Sequence, residues 1–165
     1  MSIRIVVTGG TFDKKYDEIE GVLTFKETQL PKILEQVRAT VPIVCETSQL
    51  IDSLHMTDED RLRVLSACQK APERQIVVTH GTDTMVQTAH VLGKAQLNKT
   101  IVLTGAMVPY TIFNSDALFN LGCSVSAVQL LPEGVYIVMN GRVFPWDNVQ
   151  KDRQHGVFKT IPPAA

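Results

Sequence analysis

Five short runs of β-branched and apolar residues constrain this chain most: Ile3–Val7, Val41–Cys45, Gln75–Val78, Thr100–Leu103 and Val135–Met139. Each lacks polar alternation, the pattern of a strand covered on both faces. Helical patterns lie between them. Leu30, Ile33, Leu34 and Val37 fall at helical spacing, as do Leu62, Leu65 and Cys68. Met85, Ala89 and Leu92 repeat the pattern, and so do Leu118, Leu121, Val125 and Val128. Thr57 followed by Asp60 resembles a capping box with Asp in place of Glu. Strands alternating with helices mean a parallel sheet with right-handed crossovers. The expected fold is α/β: three layers, with a mainly parallel central sheet flanked by helices, flavodoxin- or Rossmann-like. No repeat, linker or low-complexity tract divides the 165 residues, so 1–165 reads as one domain closing on Ile161-Pro-Pro-Ala-Ala. Residues 12–25 break the rhythm, mixing charges with Tyr16 and Gly21 before the strand-like Val22–Phe25. A hairpin or mobile flap is expected there.

Composition narrows the function classes. Sixteen Lys and Arg stand against seventeen Asp and Glu, a formal net charge of −1. That balance argues against a nucleic-acid partner, which calls for a basic excess. No apolar run approaches the ~18 residues of a membrane span. The N-terminus runs straight into the first strand, with an apolar stretch too short for a secretory leader. Cys45, Cys68 and Cys123 are odd in number and scattered. They read as small buried hydrophobes in a reducing cytoplasm, with no Cys/His spacing for a metal.

Three strands end alike. Thr8 runs into Gly9-Gly10-Thr11, Thr79 into His80-Gly81-Thr82-Asp83-Thr84, and Thr104 into Gly105-Ala106-Met107. In an open parallel sheet the carboxyl ends of the strands share one edge, where ligands bind. Glycine lets backbone N–H groups approach a ligand closely, and helix N-termini add partial positive charge. The edge therefore suits a carboxylate, a phosphate or a developing oxyanion. The spacing is neither G-x-G-x-x-G nor the P-loop pattern, and no H-E-x-x-H, G-x-S-x-G or S-x-x-K occurs. What remains is Thr11, Thr82, Asp83, Ser48 and any lysine the fold brings near. A threonine hydroxyl needs a neighbouring base to become a nucleophile. Lysine, oriented by Asp83, can serve as that base in a set of the triad kind. On the residues alone, Thr82 capping the Met85–Leu92 helix is an equally adequate reading.

The motifs resemble those of bacterial-type L-asparaginases. Thr8-Gly9-Gly10-Thr11 is similar to that family's TGGT signature, and His80-Gly81-Thr82-Asp83-Thr84-Met85 to its HGTDTM signature. Thr47-Ser48-Gln49 resembles its GSQ turn, Gly105-Ala106-Met107 its GAM turn and Phe119-Asn120-Leu121 its FNL helix. Val138-Met139-Asn140 with Asn148-Val149-Gln150-Lys151 resembles the stretch bearing the catalytic lysine. The likeness runs from Ile3 to about Thr160 and corresponds to the N-terminal domain of a two-domain enzyme. It implies hydrolysis of the side-chain amide of L-asparagine to aspartate and ammonia, with minor glutaminase activity and no cofactor. It further implies Thr11 as nucleophile, and Thr82, Asp83 and Lys151 as a second catalytic group with Lys151 accepting a proton. Ser48 would hold the α-carboxylate, with Thr47 and Gln49 beside it. Asp83 would also contact the α-ammonium. Backbone at Gly10, Gly81 and Ala106 would line the substrate site, with N–H groups at Thr82 and near Thr11 facing the oxyanion.

Two departures stand out. Tyr16 lies only five residues beyond Thr11, closer than the family's flap tyrosine, so it matches by role rather than by motif. The resemblance also implies that each site is completed by a glutamate from the C-terminal domain of a neighbouring subunit, and no such domain is expected in these 165 residues. Weak affinity is expected, with Glu18 or Glu20 as candidate replacements. The apolar segments Met107–Ile112 and Val143–Trp146 point to a homo-oligomer, a dimer or tetramer. The alternative is a weakly active or inactive module that binds an amino acid or dicarboxylate. His80 reads as a donor supporting its turn, and His55, His90 and His155 as surface or helix-face residues. Phe144 and Trp146 read either as walls of a dry pocket near Lys151 or as core.

Overall fold

The apolar runs form the central sheet. In the computed structural model, which describes residues 1–163, β1 (Ile3–Gly9) is followed by a hairpin of β2 (Lys15–Asp17) and β3 (Val22–Thr24). Then come α1 (Leu30–Gln36), β4 (Ile43–Ile51), α2 (Asp58–Lys70), β5 (Gln75–Thr79), α3 (Met85–Lys94), β6 (Thr100–Thr104) and α4 (Ala117–Leu130). The chain continues as β7 (Gly134–Met139), β8 (Arg142–Pro145), β9 (Gln150–Asp152) and β10 (Val157–Lys159). The last two residues of the expected Pro-Pro-Ala-Ala ending lie outside the described residues. The main sheet has the order β4-β1-β5-β6-β7-β8. Its first five strands are parallel, and β8 returns antiparallel on β7. The expected mainly parallel, flavodoxin-like sheet is what the chain forms.

Alternate residues of each strand feed two separate cores. Val6, Ile76, Val78, Ile101 and Leu103 pack with α2 and α3 through Val64, Cys68, Met85 and Leu92. Ile5, Val7, Val77 and Val102 pack on the opposite face with α1 and α4 through Leu30, Ile33, Leu121 and Val128. This is why the strands read as unbroken apolar runs: both faces are covered. The capping box holds as expected, with Thr57 and Asp60 bonding each other's backbone at the start of α2.

Three expectations need correction. The second strand does not span Val41–Cys45. It runs from Ile43 to Ile51 and so contains Thr47-Ser48-Gln49, which is strand rather than turn. Its pairing with β1 slips there: Val7 faces Thr47, but Gly9 faces Ile51. Extra residues on one strand of a pair are a bulge, a device that re-aims side chains at a sheet end. The cysteines are not uniformly buried, since only Cys68 is, while Cys45 is exposed and Cys123 half-buried. Burial pushes the Cys68 thiol up to about 12. Trp146 walls no pocket at Lys151. It packs over Gly93 of α3 and meets His90 edge-on at 5.2 Å, while Phe144 is core.

Candidate active site at the strand carboxyl ends

The strand order changes direction at β1, which puts a switch point between β1 and β5. Ligands of such sheets bind outside the strand ends at that crevice. The turns after β1 and β5 lie there, pressed together backbone to backbone. A Cβ on Gly10, whose φ is +70°, would collide with the Gly81 backbone. A Cβ on Gly105 would strike the His80 carbonyl, which brings in the turn after β6. The Gly10 N–H donates to the Ile51 carbonyl at 2.9 Å, tying in the end of β4. These glycines are there because nothing larger fits between the turns.

The strand-end threonines are stitches. Thr8 Oγ1 donates to the Thr79 carbonyl at 2.8 Å, and Thr104 Oγ1 to the Val138 carbonyl at 2.9 Å. His80 is fully buried beneath its turn. Its Nδ1 donates to the Gly81 carbonyl at 2.7 Å, so the neutral ring accepts at Nε2 from the Thr88 hydroxyl, also at 2.7 Å. Burial, helped by the nearby Arg61 charge, drops the ring to about 4. It is a brace that donates into its own turn, the role expected from its place in the sequence. The N-cap of α3 is Thr84, not Thr82. Thr84 is fixed to Ser53, donating from its hydroxyl to the Ser53 carbonyl and from its amide to the Ser53 hydroxyl. That leaves the Thr82 side chain for another partner.

The partner is Lys151. Its Nζ donates to Thr82 Oγ1 at 2.8 Å and to Asp83 Oδ1 at 2.9 Å, with the lysine side chain only 10% exposed. Lys151 rides on the β9–β10 hairpin, which docks through buried Phe158 and Val149. Strand alternation turns its neighbour Asp152 the other way. Asp152 accepts from the Gln154 amide, and from Lys159 Nζ, His155 Nδ1 and the His155 amide, which last three hold its carboxyl well below the usual range. The lysine is thus delivered by a braced support.

Arg153, which the sequence reading did not single out, joins this group. Its Nη1 donates to Asp83 Oδ1 at 2.8 Å and its Nη2 to the Asp83 carbonyl at 2.7 Å. Lys151 and Arg153 are two residues apart at the end of a strand, so one face presents both. That period-two spacing is a signal the sequence carries.

Other expected site residues are placed as follows. Thr11 opens a 3-10 turn, Thr11–Asp13, at the same rim, and its side chain makes no hydrogen bond among the described residues. Asp13 is buried and accepts from the Gln29 amide and Thr28 hydroxyl, which ties the root of the flap to α1; burial pushes its carboxyl up against those two bonds. Tyr16 lies on β2, 55% exposed, and is not hydrogen-bonded to Thr11. Thr47 is exposed and Ser48 half-buried on the bulged end of β4, while Gln49 Nε2 donates to the Asp60 carbonyl at 3.3 Å. Ala106 is core.

A protein-family model described as asparaginase, N-terminal, matches residues 2–159. The glutaminase-asparaginase of Acinetobacter glutaminasificans is 30% identical over 163 residues, covering 91% of this chain and 49% of that protein. The solved thermostable L-asparaginase from Thermococcus kodakarensis superimposes with a TM-score of 0.85 at 28% identity, covering 98% of this chain and 51% of the other. A probable cytoplasmic L-asparaginase from Campylobacter jejuni gives 0.81 at 31% identity, covering 96% and 51%. The chain spans about half the length of the relatives it matches, and no helix among the described residues is long and apolar enough to cross a membrane. With two signature turns in contact and the family model spanning nearly its full length, the chain belongs to the asparaginase family through that family's N-terminal part.

Proposed function

We propose that this chain is an amidohydrolase that hydrolyses the side-chain amide of L-asparagine to aspartate and ammonia, with minor action on glutamine. The observation that carries the reading is the bond from Lys151 Nζ to Thr82 Oγ1, made at the turn that touches the Thr11 turn. In this reading Thr11 Oγ attacks the amide carbon, and Lys151, through Thr82, accepts the hydroxyl proton. The C–N bond breaks, the proton passes to the leaving nitrogen, and ammonia departs. Water then cleaves the acyl-threonine ester and frees the acid. Asp83 orients Lys151 and faces the substrate's α-ammonium, and Ser48 on the β4 bulge faces its α-carboxylate. Backbone N–H groups at the two turns stabilise the oxyanion; losing one such donor costs about 10²–10³ in rate, which suits turns locked by glycine contacts. Tyr16 takes part once the flap hairpin closes over Thr11. The reaction needs no cofactor.

The residues form one domain, cytoplasmic and assembled as a homo-oligomer. Exposed Met107, Phe113, Phe119 and Val143 supply an apolar surface for a second copy, and light scattering of the active protein reads its state. A fully active monomer would remove that part. The functional test is ammonia release from asparagine, glutamine and buffer alone, by the wild type and by Thr11→Ala. Thr11→Ala should bind aspartate yet release almost no ammonia; turnover near wild type would overturn the assignment. The exposed position of Tyr16 favours a second reading, a module that binds an amino acid or dicarboxylate without turnover. Aspartate binding with no ammonia release by the wild type would select it.

A further inference from the structure

Three consecutive residues at the end of β4 hold both signature turns. The Ile51 carbonyl accepts the Gly10 amide at 2.9 Å, just ahead of Thr11. Asp52 Oδ2 accepts Lys14 Nζ at 2.5 Å, just behind the Thr11–Asp13 turn. Ser53 accepts the Thr84 hydroxyl at its carbonyl and the Thr84 amide at its own hydroxyl, and a Cβ on Gly81 would strike its side chain. The bond at Gly10 is a pivot for the Thr11 turn, and the second hold at Lys14 fixes its orientation. Apolar packing does not supply that hold. A cavity of about 350 Å³ lies there instead, lined by Leu23 and Phe25 of the flap and by Leu50 and His55 beside Asp52. The Lys14 and Asp52 side chains are 19% and 24% exposed. Burial works against the Asp52 charge, yet the Lys14 bond and the Leu54 amide hold its carboxyl below the usual range. Desolvation offsets much of the attraction in such a pair, so stability is a weak reason for it.

We propose that Lys14 and Asp52 are positioning residues that fix the Thr11 hydroxyl against the Thr82–Lys151 pair through the Ile51–Ser53 segment. The inference rests on the amidohydrolase reading and adds to it an ion pair that acts on the nucleophile from outside the reacting atoms. A nucleophile misplaced by an ångström costs up to about 10² in rate.

Ammonia release from asparagine by the full chain reads the split between kcat and KM. Lys14→Met and Asp52→Asn should each lower kcat about thirtyfold and leave KM within about threefold. Asp52→Asn keeps the acceptor that the Leu54 amide uses. The double variant should be no slower than the slower single one, because the two residues work as a unit. Lys14→Arg should recover most of the rate. Lys26→Met removes the same charge from the same flap, where Lys26 pairs with Asp17, and should leave kcat unchanged. Thermal midpoints verify that the variants fold. Amide exchange reads the link without turnover: Lys14→Met should lower protection of the Thr84 amide about tenfold and leave that of Val77 unchanged. A Lys14→Met kcat within about threefold of the wild type, a Lys14→Arg rate no better than Lys14→Met, an equal loss in Lys26→Met, or unmoved protection at Thr84 would overturn the inference. Loss of Thr84 protection in Lys14→Met, with no ammonia released by the wild type, would instead defeat the amidohydrolase reading and leave the coupling of the two turns standing.

Discussion

The hairpins β2–β3 and β9–β10 share one plan and differ in what lies beneath them. In each, an aspartate ends the first strand and accepts from the amides two and three residues on: Asp17 from Ile19 and Glu20, Asp152 from Gln154 and His155. A glycine follows four residues after the aspartate, Gly21 at φ +69° and Gly156 at φ +64°. Asp17 pairs with Val22 and Asp152 with Val157, and a lysine reaches back in both, Lys26 at 3.3 Å and Lys159 at 2.9 Å. The register makes Tyr16, opposite Leu23, the counterpart of Lys151, opposite Phe158. Phe158 is 3% exposed and Leu23 42%. The same turn chemistry thus yields one hairpin anchored by a buried Phe158 and another whose counterpart, Leu23, stays largely exposed. Turn residues specify the hairpin, and one apolar side chain at the strand centre decides whether it is anchored.

The contrast breaks most sharply at the two counterpart residues. Lys151→Met should cost about 10³ in kcat, the scale of a lost general base, and Tyr16→Phe only about tenfold, because Tyr16 lies exposed and unbonded to Thr11. Steady-state ammonia release measures both, and a Tyr16→Phe rate equal to wild type would exclude Tyr16 from the site. Next comes stability. Phe158→Ala should destabilise the fold by about 3–5 kcal/mol through the cavity it leaves, whereas Leu23→Ala should stay within about 0.5 kcal/mol, read from urea midpoints. Equal effects would mean that both hairpins are docked.

Acid should move the turn that Lys151 docks on and the root of the β2–β3 hairpin in opposite directions. His80 titrates lower in the folded chain than in the unfolded one, so the stability it confers is complete above about pH 6.5 and is lost as pH falls toward 4. The loss is on the order of 3 kcal/mol. Asp13, at the flap root, has a raised folded value, so its contribution is present at low pH and is lost as pH rises through that value. Amide-exchange protection at Thr88 should therefore fall between pH 7 and 4.5, while protection at Gln29 relative to the rim rises. The smallest effect is expected from Asp152→Ala, which frees the turn behind Lys151 and should lower kcat roughly threefold without moving the midpoint at pH 7. An unchanged rate would show that Phe158 alone fixes the lysine.

The fold was legible because both faces of the sheet are buried. Val6 and Val7 feed opposite cores, so the strands show as apolar runs, and Leu30, Ile33 and Leu121 show as helical stripes. The end of β4 was not legible, since Glu46, Thr47, Ser48 and Gln49 are polar and are carried into strand by pairing and a bulge beside Gly9. At the rim, the meeting of two glycine-rich turns follows from strand-end logic. Lys151 does not, because it lies 69 residues from Thr82 and arrives on a hairpin whose docking depends on Phe158. It was reachable only through the family resemblance. Arg153 had a local signal, its spacing of two from Lys151, but its partner Asp83 is fixed by tertiary structure alone.

Whether the docked hairpin and the two turns act as one unit is read most directly from a double-variant cycle on Thr82→Val and Lys151→Met. Residues that work as a unit are not additive in their losses. The kcat/KM of the double variant should equal that of the slower single variant within about threefold. A double variant slowed by the product of the two separate losses would mean that Lys151 and Thr82 act independently, and the proton path through them would be wrong.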